Sequence, residues 1–344
     1  MHCRLRVASA LFWMGLLCIP KPSIAQIPNA DRLDASPKSR QVAFDATALE
    51  RANVRFREEV TAILNRVART HGLGGVEPNW VMASPIGVMQ SPVALLQGRS
   101  EMTREELAKG QDLALVDFSL PEGSEVPSGF YVLHVRQENG RWIAALRDLQ
   151  GKVVLQREAE VGPSESQSYW PGRSTGIYSL GGQNVYGVRF GAELPSGSFY
   201  MVVRLGRGRI VPAQDPDARA ITAALEAFRR EARAAFAAWL KEQRDVFIAS
   251  RSDALVVAAL DPGSKSLVSY LRTARQPGGL YRIRAGTVDS VLPGAARSPE
   301  GTFRDVSAFR TMAIGIVGGI SGATATLGYI GSEIEPFLLS VRVH

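Results

Sequence analysis

Few residues in this sequence could do chemistry, and the most suggestive run is Gly172-Arg173-Ser174-Thr175-Gly176. It fits the G-x-S-x-G pattern, in which a serine on a sharp strand-to-helix turn attacks a carbonyl with the help of an acid and a histidine later in the chain. Here Pro171 precedes the run, Gly181-Gly182 follow before a helix could start, and the later histidine is the terminal His344. Ser174 is therefore a nucleophile candidate whose surroundings argue against it. His71 falls at the expected end of a helix and His134 inside an alternating strand pattern, so structural roles are expected of both. Neither has a second histidine at metal-ligand spacing, and no H-E-x-x-H occurs, so neither a metal nor a cofactor is expected. Glu58-Glu59 and Glu105-Glu106 are adjacent and diverge on a helix. A paired-carboxylate hydrolase would need acids that converge only in three dimensions.

A better functional candidate is the stretch from Gly162 to Asn184, which reads as a 23-residue connection between strands. It carries Tyr169, Trp170, Arg173 and Tyr178, five glycines, and Glu165 as its one acid. Connections beyond about 12–15 residues are uncommon unless functional, and aromatics with a cation suit stacking on a sugar or anchoring a protein. The competing reading is that Trp170 and Tyr178 fold back over the open end of the sheet.

The elements that must position these residues follow a leader. Arg4 and Arg6 precede the 13-residue apolar run Val7–Ile19, and Ser23-Ile24-Ala25 is a small-x-small site. This is the order of a secretory signal peptide over 1–25, and the run is too short to span a bilayer of roughly 30 Å at 1.5 Å per residue. Export to the periplasm or cell surface is therefore expected. Removing 1–25 takes Arg4, Arg6 and Lys21 with no acid, so the formal charge falls from +7 to +4. Both cysteines, Cys3 and Cys18, leave as well. The remaining chain can make neither a disulfide nor a cysteine nucleophile, and its interleaved charges do not suggest nucleic acid as partner.

Residues 26–44 read as a flexible leader and 45–110 as an N-terminal helical region. In the latter, Asp45 caps a helix whose apolar face is Leu49, Ala52, Phe56, Val60, Ile63 and Val67. Between Trp80 and Glu106 the signals are mixed, with Pro85 and Pro92 breaking the pattern. Over 111–213 the period changes to two, and about seven short strands separated by turns such as Asn139-Gly140 suggest an immunoglobulin-like antiparallel β-sandwich. Asp215-Pro216-Asp217 opens a long amphipathic helix over 214–250, reaching about Phe247. The Gly-rich C-terminal region, 251–344, should hold a buried strand at Ala254–Leu260 and a helical turn or two at Lys265–Arg272. The 22 uncharged residues 311–332 are long enough to span a membrane, but their six glycines and the Gly318-Gly319 pair favour strands and a hairpin. Either membrane contact through 311–332 or a soluble hairpin remains open at this level.

The expected fold class is thus α+β, a β-sandwich flanked by amphipathic helices. The expected function is an exported, non-catalytic binding or assembly module that engages an envelope protein or glycan, an anionic one included. Alternatives are an exported hydrolase and an envelope protein anchored through 311–332. Intact mass of the exported protein should show Gln26 as its first residue, and a chain beginning at Met1 would remove the export reading.

Overall fold

The computed structural model of the chain describes residues 44–86, 89–162, 171–180, 183–237, 239, 246–251, 254–261, 266–273, 278–284, 287–290, 301–304, 313–319, 322–329 and 337–343. The signal peptide, most of the leader, Tyr169 and Trp170 lie outside these residues. Helix α1 (Ala46–Thr70) begins where the Asp45 carboxylate accepts the Ala48 N–H at 2.8 Å, and it buries Leu49, Ala52, Phe56, Val60, Ile63 and Val67 along one face. Then come β1 (Val76–Ile86), β2 (Met89–Leu96), the short α2 (Arg104–Ala108) and β3 (Gln111–Phe118). They are followed by β4 (Leu120–Pro121), β5 (Gly129–Glu138), β6 (Arg141–Arg147), β7 (Val153–Glu158), β8 (Glu160–Gly162) and β9 (Pro171–Leu180). Strands β10 (Gln183–Leu194), β11 (Gly197–Arg204) and β12 (Ile210–Val211) lead to helix α3 (Pro216–Phe236). Beyond it lie β13 (Val246–Arg251), β14 (Ala254–Asp261), β15 (Ser266–Thr273), β16 (Gly279–Arg284) and β17 (Thr287–Ser290). The last strands are β18 (Gly301–Arg304), β19 (Ala313–Gly319), β20 (Gly322–Tyr329) and β21 (Phe337–Val343).

The fold is α+β, with antiparallel pairing dominant. One long sheet runs in the order β17-β16-β15-β14-β13-β1-β2-β3-β5-β6-β7, and β19, β20, β21 and β18 branch from β1. A second sheet has the order β8-β11-β10-β9, and β12 pairs with β4 in a two-stranded ribbon. The strands of 111–213 therefore do not close on themselves as a seven-strand module. Strand β3 pairs onward with β2, through which the sheet reaches the C-terminal strands.

Two buried clusters explain the layering. Along β2, Ala94 and Leu96 join the helices in one cluster while Val93 and Leu95 join the second sheet in the other, as the period of two requires. Helices α1 and α3 cover the first face, with the Phe56 and Phe228 rings stacked at 5.2 Å. On the second face the Phe118 and Phe190 rings meet edge-on at 5.4 Å and Trp142 meets Phe199 at 4.7 Å, so the four-stranded sheet lies against the long one. Polar contacts fix where α1 sits. Ser250 Oγ donates to Asn53 Oδ1 at 2.6 Å in a fully buried pair, and Glu50 accepts from Tyr270 at 2.9 Å and from Arg272 at 2.7 Å.

Three expectations are corrected. Helix α3 stops at Phe236, and Phe247 falls in β13, where Ile248 stands opposite Val257 of β14. The stretch expected as helical turns at Lys265–Arg272 is strand β15, because Leu267, Ser269 and Leu271 alternate with Val268, Tyr270 and Arg272. The region 45–110 holds the β1–β2 hairpin as well as helices; Pro92 is tolerated there because β3 pairs with β2 only from Val93 to Leu95. Of the two readings of 311–332, the strand pair is the one found: β19 and β20 pair with Gly319 opposite Gly322, and among the described residues no helix is long and apolar enough to cross a membrane.

Phe228 is fully buried between the helices, so Phe228→Ala should lower the free energy of unfolding by about 3–5 kcal/mol in urea titration. A loss under about 1 kcal/mol would mean that α3 does not seal this face.

Candidate functional site

The structure separates the residues that the sequence grouped. Arg173, Ser174 and Tyr178 lie on β9, so the connection after β8 covers residues 163–170 and not the whole of 162–184. Ser174 pairs in mid-strand with Arg189, where the strand-to-helix turn of a nucleophile elbow does not occur. Arg173 stands opposite Phe190 and Tyr178 opposite Val185. Five positions apart in an unbroken register, they belong to opposite faces of the sheet, and Arg173 shares the face whose Phe190 fills the second cluster. Strand β9 was missed because Pro171, Gly172 and Gly176 interrupt the apolar alternation that marks a strand.

On the face turned away from that cluster, β8, β10 and β11 build a stacked cation. Tyr200 pairs with Glu160 on one side and Gly191 on the other. Its ring lies across Gly191, where an added Cβ would stand 2.1 Å from the ring, so only glycine admits this packing. The Arg189 guanidinium carbon sits 3.5 Å from the centre of the Tyr200 ring, and Nε donates to Glu160 Oε2 at 2.7 Å. The Arg189 side chain is 27% exposed and that of Glu160 42%. A planar cation held flat on a ring and oriented by a carboxylate is preorganised to donate to carboxylate, phosphate or sugar oxygens. Ser174 and Tyr178 occupy positions on this same face.

A second polar constellation joins three strands. Asp112 stands directly opposite His134 on β5, and His134 Nδ1 lies 2.8 Å from Asp112 Oδ1. Arg147 from β6 reaches the same oxygen at 3.3 Å, and Arg99 Nε donates to the Asp112 carbonyl at 2.7 Å. Burial opposes charge on Asp112, but the His134 hydrogen bond and the charges of His134, Arg147 and Arg99 outweigh it and hold the carboxyl below its usual range. Such a dyad could orient a general base, yet the His134 ring that would act is buried at 6% exposure. The cluster therefore works as an internal ionic clamp. Beside it a cleft of about 280 Å³ is lined by His71, Leu73, Asp112, Arg147 and Gln150. A larger cleft of about 550 Å³ at the end of α1 is lined by Asn65, Arg69, Gln97 and Glu101, with Glu77. Glu77 Oε1 is already engaged by the Arg99 N–H at 3.0 Å and by the Ser100 N–H and hydroxyl, both at 3.1 Å.

Sequence reasoning gave His134 a structural role without finding its partner. Pairing the strand that starts at Asp112 with the one at Gly129–Gln137 would have set the two side chains opposite each other. Among the described residues no three His, Cys, Asp or Glu side chains gather to hold a metal ion. Comparison of the chain with protein-family models, curated proteins and solved structures finds no match.

Because the folded Asp112 pKa lies below its unfolded value, its contribution to stability is present above the usual carboxylate pKa of about 4 and is lost as pH falls through the folded value. Asp112→Asn should cost about 1–3 kcal/mol at neutral pH, with the gap to the parent closing towards pH 3 in urea titrations. A gap independent of pH would show that the charge of Asp112 does not matter.

Proposed function

We propose that the protein is an exported cell-envelope module, periplasmic or displayed at the cell surface, that binds or assembles with a protein or glycan partner and does not catalyse a reaction. Export rests on the order of basic, apolar and small-residue segments in 1–25. The binding reading rests on the Arg189–Tyr200–Glu160 stack, an ordered cation with part of its surface in solvent. A guanidinium already held in place loses little freedom when it meets an anionic or hydroxyl-rich partner, which makes it a natural anchor.

In this reading the two sheets enclosing the second cluster act as a β-sandwich, immunoglobulin-like in its layering. The partner contact centres on the partly exposed Arg189 and Glu160, and Ser174 and Tyr178 hold register positions on the same side of the sheet. Tyr169 and Trp170, which immediately precede β9 in the chain, remain candidates for the same partner contact on their chemistry alone. Arg173, on the opposite face, is not part of it. Ser174 stands here as the register neighbour of Arg189 and not as a nucleophile.

Arg189→Ala should reduce capture of the envelope partner in cross-linking at least about tenfold, and Arg189→Lys should not restore it, because lysine lacks the planar fork. Thermal stability should hardly change, since a half-exposed ion pair contributes about 0–1 kcal/mol. Equal capture by the parent and both variants would remove this surface from the proposal.

A further inference from the structure

The segment Arg204-Leu205-Gly206-Arg207-Gly208-Arg209 places three exposed arginines within six residues, between β11 and β12. Among the described residues none of the three guanidinium groups forms an ion pair or a hydrogen bond. Unpaired arginines on a mobile loop would be unremarkable, but this loop is clamped. Arg204 N–H donates to Glu125 Oε2 at 3.1 Å, while Glu125 N–H donates to the Arg204 carbonyl at 3.0 Å. Gly206 N–H donates to Ser124 Oγ at 2.9 Å, Gly208 N–H to the Glu122 carbonyl at 3.3 Å, and Glu122 N–H to the Arg209 carbonyl at 2.9 Å. The β4–β12 ribbon, with Ile210 opposite Pro121, continues the clamp. The glycines are required by closeness: an added Cβ would stand 1.9 Å from the Glu122 carbonyl oxygen at Gly206 and 2.4 Å from the Glu122 side chain at Gly208.

The charges do not cancel locally. Glu125 is taken up by the Arg204 N–H and by an ion pair with Arg157, which leaves Glu122 as the other acid of the facing turn. Four arginines, Arg157 included, thus face two glutamates, a local excess of two positive charges. Five guanidinium donors on each of three arginines, displayed on a backbone that cannot rearrange, make a surface for repeated anionic groups. Leu205 is buried at 9% exposure, so the tip carries no apolar side chain to enter a bilayer, which favours a soluble polymer over a lipid surface.

We propose that this clamped arginine loop is a binding site for an anionic polysaccharide, whose sulfate, phosphate or carboxylate groups the side chains of Arg204, Arg207 and Arg209 take up. The choice of a glycan over a nucleic acid rests on the export reading; the site itself is independent of the Arg189 surface. A fluorescent heparin oligosaccharide is the probe, titrated against the full chain at several salt concentrations, with neutral dextran, phosphatidylglycerol vesicles and single-stranded DNA as competitors. The parent should bind heparin with an affinity that falls as salt rises, and each arginine replaced by alanine should reduce the log–log salt slope by about one. The triple variant Arg204→Ala, Arg207→Ala, Arg209→Ala should bind at least about a hundredfold more weakly while unfolding near the parent temperature, because all three residues are exposed and no ion pair of theirs is lost. A second pair, Arg207→Ala and Arg209→Ala, spares Arg204 at the end of β11 and should still lose at least about tenfold. Unchanged binding by the triple variant, or displacement by vesicles or DNA in preference to heparin, would overturn the assignment.

Discussion

The central strands of the long sheet are apolar on both faces, and this is the constraint from which the rest of the architecture follows. Val93 and Leu95 point one way from β2 and Ala94 and Leu96 the other, and Leu115 on β3 lies between Ala114 and Val116 in the same manner. Such strands cannot leave a face in water, because each buried Val or Leu side chain is worth about 1.5–3 kcal/mol of transfer free energy. One face takes a helix pair and the other takes a second sheet. The polar contacts of α1, Asn53 to Ser250 and Glu50 to Arg272, then select one seating of the helix among many that apolar packing alone would accept.

The sequence disclosed those elements whose signals are local. The Asp45 cap, the 3.6-residue stripe of α1, Asp215-Pro216 at the start of α3 and the Asn139-Gly140 turn all form where the chain places them. What it concealed depends on distant partners. Strand β9 lacks an apolar alternation of its own and is strand-like because β10 offers it a continuous ladder from Pro171 to Leu180. Strand β15 resembled helical turns because its apolar residues recur on both faces, a pattern that a sheet covered on both sides produces. The Asp112–His134 pair, separated by 22 residues, exists only through the register of β3 on β5. The Arg189 stack likewise needs β8, β10 and β11 side by side before its chemistry can be recognised. The aromatic stretch kept its residues but lost its character as a single loop once Arg173 and Tyr178 fell on opposite faces.

A shared device holds the solvent-reaching cations in place. Arg189 is flattened on Tyr200 because Gly191 makes room for the ring, and Arg204, Arg207 and Arg209 are displayed because Gly206 and Gly208 let two loops close on each other. In both places glycine contributes closeness of backbone more than freedom of conformation. Rigidity of this kind lowers the entropy lost when a long side chain meets a partner.

The buried Ser250–Asn53 pair joins residues 197 positions apart. Helix α1 comes early in the chain, but much of what its apolar face packs against, helix α3 and the strands β13 to β16, comes from beyond residue 215. Until they emerge, the stripe of Leu49, Phe56, Val60 and Ile63 lacks part of its cover, including the Phe228 ring that stacks on Phe56. Closure over so long a separation is slow, because the chain must surrender its loop entropy before any of these contacts form. The apolar face of α1 is therefore completed only by residues that lie far along the chain, and the fold of its first helix depends on its last third.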